Sequence, residues 1–230
     1  MSTGDASPET VSPRSVCVDD HGVAVPVQGS GHYASKEYWD SRFASEEAKE
    51  WLCSYADVRE SIEALVPRGP RRILLVGCGN SAFGAELVGA GYKDVVASDF
   101  SETVVAMMDA RHAAIAGLRY VVADMLNLPY DGVFDVIIDK AGFDAVVADG
   151  GADKWTPTDA ARTAATKLNA SVGRALRDGG TFIQITFAQP HFRRPLLEAT
   201  AAPPWASCAV RPVNVGLGYT LLAFERAPRV

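Results

Sequence analysis

A chain of 230 residues that is 48% hydrophobic and 22% charged can bury a substantial core without help from disulfides or metals. Its net charge of −6 argues against broad binding to a nucleic-acid backbone, and no apolar run approaches the roughly 20 residues of a membrane-spanning helix. The four cysteines, Cys17, Cys53, Cys78 and Cys208, are scattered with no Cys-x-x-Cys pair, which argues against a zinc site or a disulfide framework and suits free thiols in a reducing compartment.

Residues 1–31 are rich in Ser, Pro, Gly and Asp, and read as disordered. Met1 to Asp20 show no basic start, apolar stretch or Arg-rich pattern of a targeting signal, so a cytoplasmic protein is expected. One domain should follow over 32–230, divided into a helical lid (32–70) and an α/β core (71–230). In the lid, helices are predicted over Ser35 to Phe43 and over Glu46 to Val66. The second shows Trp51, Tyr55, Val58, Ile62 and Leu65 at spacings of three and four and stops at Pro67-Arg68-Gly69-Pro70.

From Arg72 the pattern alternates. Ile73 to Val76 is a short apolar run stopped by glycine, as in a strand buried on both faces. A helix is predicted over Ser81 to Ala90, a strand over Asp94 to Ser98, and a helix from Ser101 to about Ile115. Strands at Arg119 to Ala123 and Phe134 to Ile138 follow, then a helix over Thr158 to Leu176 and a strand over Thr181 to Phe187. After a short segment around His191 to Glu198, Ser207–Val213 and Tyr219–Glu225 are joined through Gly216-Leu217-Gly218 with no helix between them. They should form an antiparallel hairpin. The whole is an α/β, Rossmann-like sheet with helices on both faces.

Gly77-Cys78-Gly79-Asn80 sits between the first buried strand and a helix, where glycine torsions allow a tight turn and close approach to a ligand. Asp99 ends the next strand about 20 residues on, where an acid accepts from ribose hydroxyls; its other reading is a helix cap. Phe100 is placed either against an adenine face or in the core. Asp124, past the third strand, suits the adenine amino group with Met125 over the ring, or else it is a turn residue. On the ligand-binding readings an adenosyl cofactor is expected, and both candidate cofactors carry adenosine. The antiparallel ending favours S-adenosyl-L-methionine, with S-adenosyl-L-homocysteine as product, over a nicotinamide dinucleotide.

The stretch from Tyr38 to about Arg194 resembles the lysine methyltransferases that modify eukaryotic elongation factor 1-alpha. The resemblance is carried by Tyr38-Trp39-Asp40-Ser41-Arg42-Phe43, the glycine turn, Met108-Asp109-Ala110-Arg111-His112, Phe134 to Lys140, and Pro190-His191-Phe192-Arg193. It implies a class I, seven-stranded methyltransferase fold. It also implies a lid in which Trp39, Phe43 and Trp51 pack on the cofactor, and a cofactor contact from Lys140. Read without it, Trp39 and Trp51 are core residues of a helical cap. Aromatic faces attract cations, so such a lid suits a sulfonium. That family usually follows its Asp/Glu-Lys pair with Gly-Thr-Leu-Asp-Ala, where this chain has Ala141-Gly142-Phe143-Asp144-Ala145. A bulky Phe143 at the edge of the fourth strand puts the acceptor in question.

The expected reaction is methyl transfer to an aligned nucleophile, with Asp139 and Asp144 as candidate acceptor-facing groups, each also readable as a turn cap. The leading expectation is a protein-lysine methyltransferase whose partner is elongation factor 1-alpha, with no nucleic acid or membrane. The alternatives are a small-molecule methyltransferase, favoured if Phe143 closes the pocket to a peptide, a non-catalytic S-adenosylmethionine-binding module, and, more weakly, a nicotinamide-dependent oxidoreductase.

Overall fold

Strands that are apolar on both faces, interleaved with one-sided helices, bury themselves by forming a sheet covered on both sides. The computed structural model describes residues 16–18, 24–26, 30–46, 48–148, 156–200 and 204–229. Two short strands, β1 (Val16–Val18) and β2 (Ala24–Pro26), pair antiparallel; the rest of the segment expected to be disordered, up to residue 29, lies outside the described residues. The lid contributes α1 (Lys36–Ser45) and α2 (Tyr55–Leu65). The core then runs β3 (Arg72–Val76), α3 (Phe83–Gly89), β4 (Asp94–Asp99), α4 (Glu102–His112), β5 (Leu118–Val122), β6 (Phe134–Lys140), α5 (Gly142–Val146) and α6 (Asp159–Ala175). It closes with β7 (Leu176–Thr186), α7 (Pro190–Glu198), β8 (Trp205–Val213) and β9 (Tyr219–Arg226).

The seven core strands form one sheet in the order β5-β4-β3-β6-β7-β9-β8. The pairs from β5 to β7 are parallel, and β9 slots between β7 and β8 antiparallel to both. The terminal hairpin expected from the glycine-linked strands is present.

Alternation along each strand divides the core in two. Ile73, Leu75, Val95, Ala97, Val136 and Ile138 face the side covered by α2, α3 and α4. Leu74, Val76, Val96, Ile137 and Phe182 face α6, whose buried Ala161, Ala165, Leu168, Val172 and Ala175 recur at alternating steps of four and three. Side-chain caps start the helices where the sequence suggests. Ser101 Oγ accepts from Val104 N at 3.3 Å and Thr158 Oγ1 from Ala161 N at 3.2 Å.

The second lid helix is shorter than its periodicity predicts. It begins at Tyr55, not Glu46, because the Asp57 carboxylate accepts from Ser54 N at 2.8 Å and fixes the helix start there. Trp51 continued the apolar period for a different reason: it faces a cavity. Just before α2 the chain makes a one-residue turn, with Leu52 at φ +64 and Cys53 N donating to Trp51 O at 2.8 Å. The short helix α5 was not foreseen in the sequence.

Candidate active site

The chain runs from β3 outward to β4 and β5, then crosses back to β6. A reversal of this kind leaves a crevice at the carboxyl ends of the strands, the usual ligand position in such sheets. A cavity of about 1050 Å³ occupies it, bounded by the strand ends, the lid, α5, α7 and the β8–β9 turn.

Its floor is the glycine turn. Gly77 (φ +58) and Gly79 (φ +50) both have left-handed backbones. A Cβ on Gly77 would stand 2.7 Å from Met125 Cε and 3.1 Å from Gly142 Cα, so only glycine lets the turn pass under these neighbours. Cys78 lines the cavity between them and ties β3 to β4 through its backbone N–H, which donates to Ser98 O at 3.0 Å. Asp99 also lines the cavity although it is only 4% exposed, and its carboxylate accepts from Gly79 N at 2.9 Å and Ser101 N at 3.0 Å. Burial raises the Asp99 carboxyl above its ordinary value, and the Ser101, Gly79 and Phe100 amides pull it back. Phe100, Asp124 and Met125 follow along the same wall. Asp124 Oδ1 accepts from Leu126 N at 2.8 Å, so it serves as a turn cap while still lining the cavity.

The lid rings close the opposite side. Trp39 and Phe43 stack at 5.4 Å and 26°, and Trp51 meets Trp39 edge-on at 5.9 Å. Trp39 Nε1 donates to Tyr33 O at 2.7 Å, which sets the ring's orientation. The buried Arg42 guanidinium stands 4.8 Å from the Trp51 ring centre, and the Lys49 ammonium 4.3 Å from it. The π face of Trp51 therefore already meets cations of this chain, whereas Arg42 lies farther from Trp39, at 5.8 Å.

The third wall carries Lys140 and Asp144 together with Phe187, Phe192, Arg193, Leu217 and Tyr219. Lys140 Nζ donates to Trp51 O at 2.8 Å and pairs with Glu50. Asp144 is buried and ion-paired with the equally buried Arg193; Thr186 Oγ1 donates to it at 2.5 Å and Phe187 N at 3.2 Å. Burial raises the Asp144 carboxyl, opposed by the Arg193 guanidinium.

Three expectations are corrected by this geometry. Asp139 lies outside the cavity: at 1% exposure it accepts from Gln184 Nε2 at 2.8 Å and Phe143 N at 3.1 Å, and burial pushes its carboxyl up to about 7. Strand alternation is the reason, because Lys140 takes the cavity side and its neighbour turns away. Asn80 is likewise buried away from the cavity, its Nδ2 donating to Glu46 O at 3.2 Å and so tying the turn to the lid. Phe143 does not narrow the pocket. It is fully buried with the Arg193 guanidinium 5.0 Å from its ring centre.

The remaining expected residues, Trp39, Phe43, Trp51, Gly77, Cys78, Gly79, Asp99, Phe100, Asp124, Met125, Lys140 and Asp144, all line the one cavity. Sequence reasoning missed Tyr33, Phe187, Leu217 and Tyr219, which reach it only through tertiary folding. For Arg193 a signal existed, in the Pro190-His191-Phe192-Arg193 motif. Among the described residues, no group of three or more His, Cys, Asp or Glu side chains is placed to hold a metal ion, and no helix is long and apolar enough to cross a membrane.

The sheet order sets a glycine-floored, acid-flanked crevice at the strand ends, and residues 73–180 match the family model described as a methyltransferase domain. The chain has the fold of the class I, seven-stranded S-adenosylmethionine-dependent methyltransferases. Within that class it is similar to EEF1A lysine methyltransferase 4 of Mus musculus, 37% identical over 70% of this chain and 64% of that protein. It is also similar to the eEF1A lysine and N-terminal methyltransferase of Mus musculus, 30% identical over 71% of this chain and 23% of that one. It thus spans slightly less than two thirds of the first relative's length. The fold is shared with the N-methyltransferase NodS from Bradyrhizobium japonicum WM9, solved with S-adenosyl-L-homocysteine, at TM-score 0.59 and 12% identity over 84% of this chain and 98% of that chain.

S-adenosyl-L-methionine is the cofactor of this class, and the residues present fit it. The turn has no Cβ where a ligand must approach, a buried carboxylate stands ready for hydroxyl donors, and aromatic rings flank the place for a cation.

Proposed function

We propose that this chain is a protein-lysine N-methyltransferase that acts on an elongation factor 1-alpha-like substrate in the cytoplasm. The observation that carries the reading is the 37% identity to EEF1A lysine methyltransferase 4 over 166 residues, 70% of this chain. Asp99 would hold the ribose hydroxyls, Asp124 and Met125 the adenine, and the glycine turn and lid rings the rest of the cofactor. Bound there, the cofactor supplies an already activated methyl group, so the protein's task is alignment more than activation.

The acceptor side explains how a lysine is prepared. A lysine ammonium ordinarily has a pKa of about 10.4 and must lose its proton before it can attack. An apolar channel favours the neutral amine. Phe187, Phe192, Leu196, Val146 and Val147 provide such walls. Among the described residues, the carboxylate on that wall, Asp144, is neutralised by Arg193, so it does not hold a proton on the incoming amine. The buried position of Phe143 removes the specific reason for preferring a small-molecule acceptor.

The test is to incubate the purified protein with radiolabelled S-adenosyl-L-methionine and elongation factor 1-alpha, and to map the label by mass spectrometry. Methyl groups on a discrete lysine are expected. Label confined to small molecules, or none at all, would contradict the reading.

A further inference from the structure

Among the described residues, two that are not glycine adopt a left-handed backbone: Leu52 (φ +64) and Ala141 (φ +66). Each directly follows one partner of a single contact, in which Lys140 Nζ donates to Trp51 O at 2.8 Å. Strained backbone of this kind persists where the surroundings hold it, and it gathers at functional sites. The holding group is on the same ammonium. Lys140 is ion-paired with the Glu50 carboxylate, and Glu50 Oε1 also accepts from Ser81 Oγ at 2.7 Å, just beyond the glycine turn. Exposed ion pairs are usually weak. Here the lysine side chain is only 8% exposed, lies 5.6 Å from the Phe83 ring centre, and makes two hydrogen bonds to one short segment.

Trp51 and Leu52 on one side, with Ser81 and Lys140 on the other, line the same cavity. Glu50 bridges the two sides. We propose that Glu50, acting through Lys140 and Ser81, clasps residues 50–52 of the lid onto the sheet edge and sets how fast a ligand leaves the cavity. Glu50 is a positioning residue here, one step removed from the ligand, and nothing in its local sequence marks it. The left-handed turns at Leu52 and Ala141 give the segment a reason to lift once the ion pair is broken. The link to ligand release rests on the cofactor assignment above; the clasp itself does not.

Two measurements on full-length protein test this, using wild type, Glu50→Gln, Lys140→Met and the double variant. Hydrogen exchange in the ligand-free protein reads the clasp alone. Amides of residues 50–53 should exchange faster by about tenfold or more in Glu50→Gln, the scale of a lost charge-assisted hydrogen bond, while β3 and β6 keep their protection. Stopped-flow displacement of S-adenosyl-L-homocysteine reads its consequence. Release should accelerate by about tenfold in either single variant, and no further in the double variant, because both remove the same link. Added salt should speed release from wild type and leave Glu50→Gln unchanged. Unaltered exchange at 50–53, or release within about twofold of wild type in Glu50→Gln, would overturn the proposal. A wild type that ignores S-adenosyl-L-homocysteine, yet loosens at 50–53 in Glu50→Gln, would uphold the clasp and bring down the cofactor assignment instead.

Discussion

Ala141 keeps a backbone conformation suited to glycine, at the position where the related lysine methyltransferases usually carry glycine. Ala141→Gly should therefore stabilise the fold: relief of the left-handed strain, about 1–2 kcal/mol, outweighs glycine's extra entropy, about 0.5–1 kcal/mol. Calorimetry should show Tm raised by roughly 1–4 °C. The next residue shows the opposite logic. A Cβ on Gly142 would lie 2.7 Å from Met125 Cε and 2.9 Å from Asp139 Oδ1, so threonine, usual in the relatives, has no room here. Gly142→Thr should cost about 1–3 kcal/mol and displace Met125 from the cavity wall. The family pattern was readable from the sequence; the exchange of Gly-Thr for Ala-Gly made sense only once Met125 and Gly77 were seen to close over position 142. Asp139 is the other instructive residue. Burial raises its carboxyl to about 7, so the folded state binds a proton that the unfolded state releases near pH 4. The stability this group contributes is complete below the ordinary carboxylate range and is lost as pH rises through 7. Asp139→Asn should flatten the stability curve between about pH 4 and 7 and make the protein more stable than wild type at pH 8, measured by urea titration.

Elements whose burial follows a simple period were legible: β3, β4, β6 and α6 declare themselves in apolar runs or steps of three and four. What failed were segments whose apolar residues serve a cavity. Trp51 extended the period of α2 by about one turn on paper, because a ring facing a crevice and a ring facing a core are alike in sequence. The helix α5 is too short for periodicity to register. Its docking depends on the buried Asp144–Arg193 pair, which joins α5 to α7 across 49 positions of sequence. Removing one member of such a pair leaves an uncompensated charge. Arg193→Met should destabilise by about 3–5 kcal/mol in denaturant unfolding, and Asp144→Asn on that background should recover about half the loss, since no lone charge then remains. An Asp144 carboxylate that keeps full stability without Arg193 would show that the two helices are held by packing alone.

At the scale of the molecule, the sheet order decides what the site can be. The reversal between β5 and β6 opens the crevice, and β9 between β7 and β8 closes the far edge with a turn that brings Leu217 and Tyr219 to its mouth. The acidic end of β4 and the glycine turn after β3 are neighbours because those strands pair in parallel register, Val76 beside Ser98. Both halves of the proposed cofactor cradle could thus be read from two strand ends about 20 residues apart. The acceptor wall draws on α5, β7, α7 and the terminal hairpin, and no local pattern joins them. The cradle is also where the assignment is most exposed to test. Calorimetric titration of S-adenosyl-L-homocysteine into wild type and Asp99→Ala is the direct measurement. Binding by the wild type with a loss of about tenfold or more in the variant, or roughly 1.4 kcal/mol, is expected. Equal affinity in the two proteins, or no binding by the wild type, would contradict it.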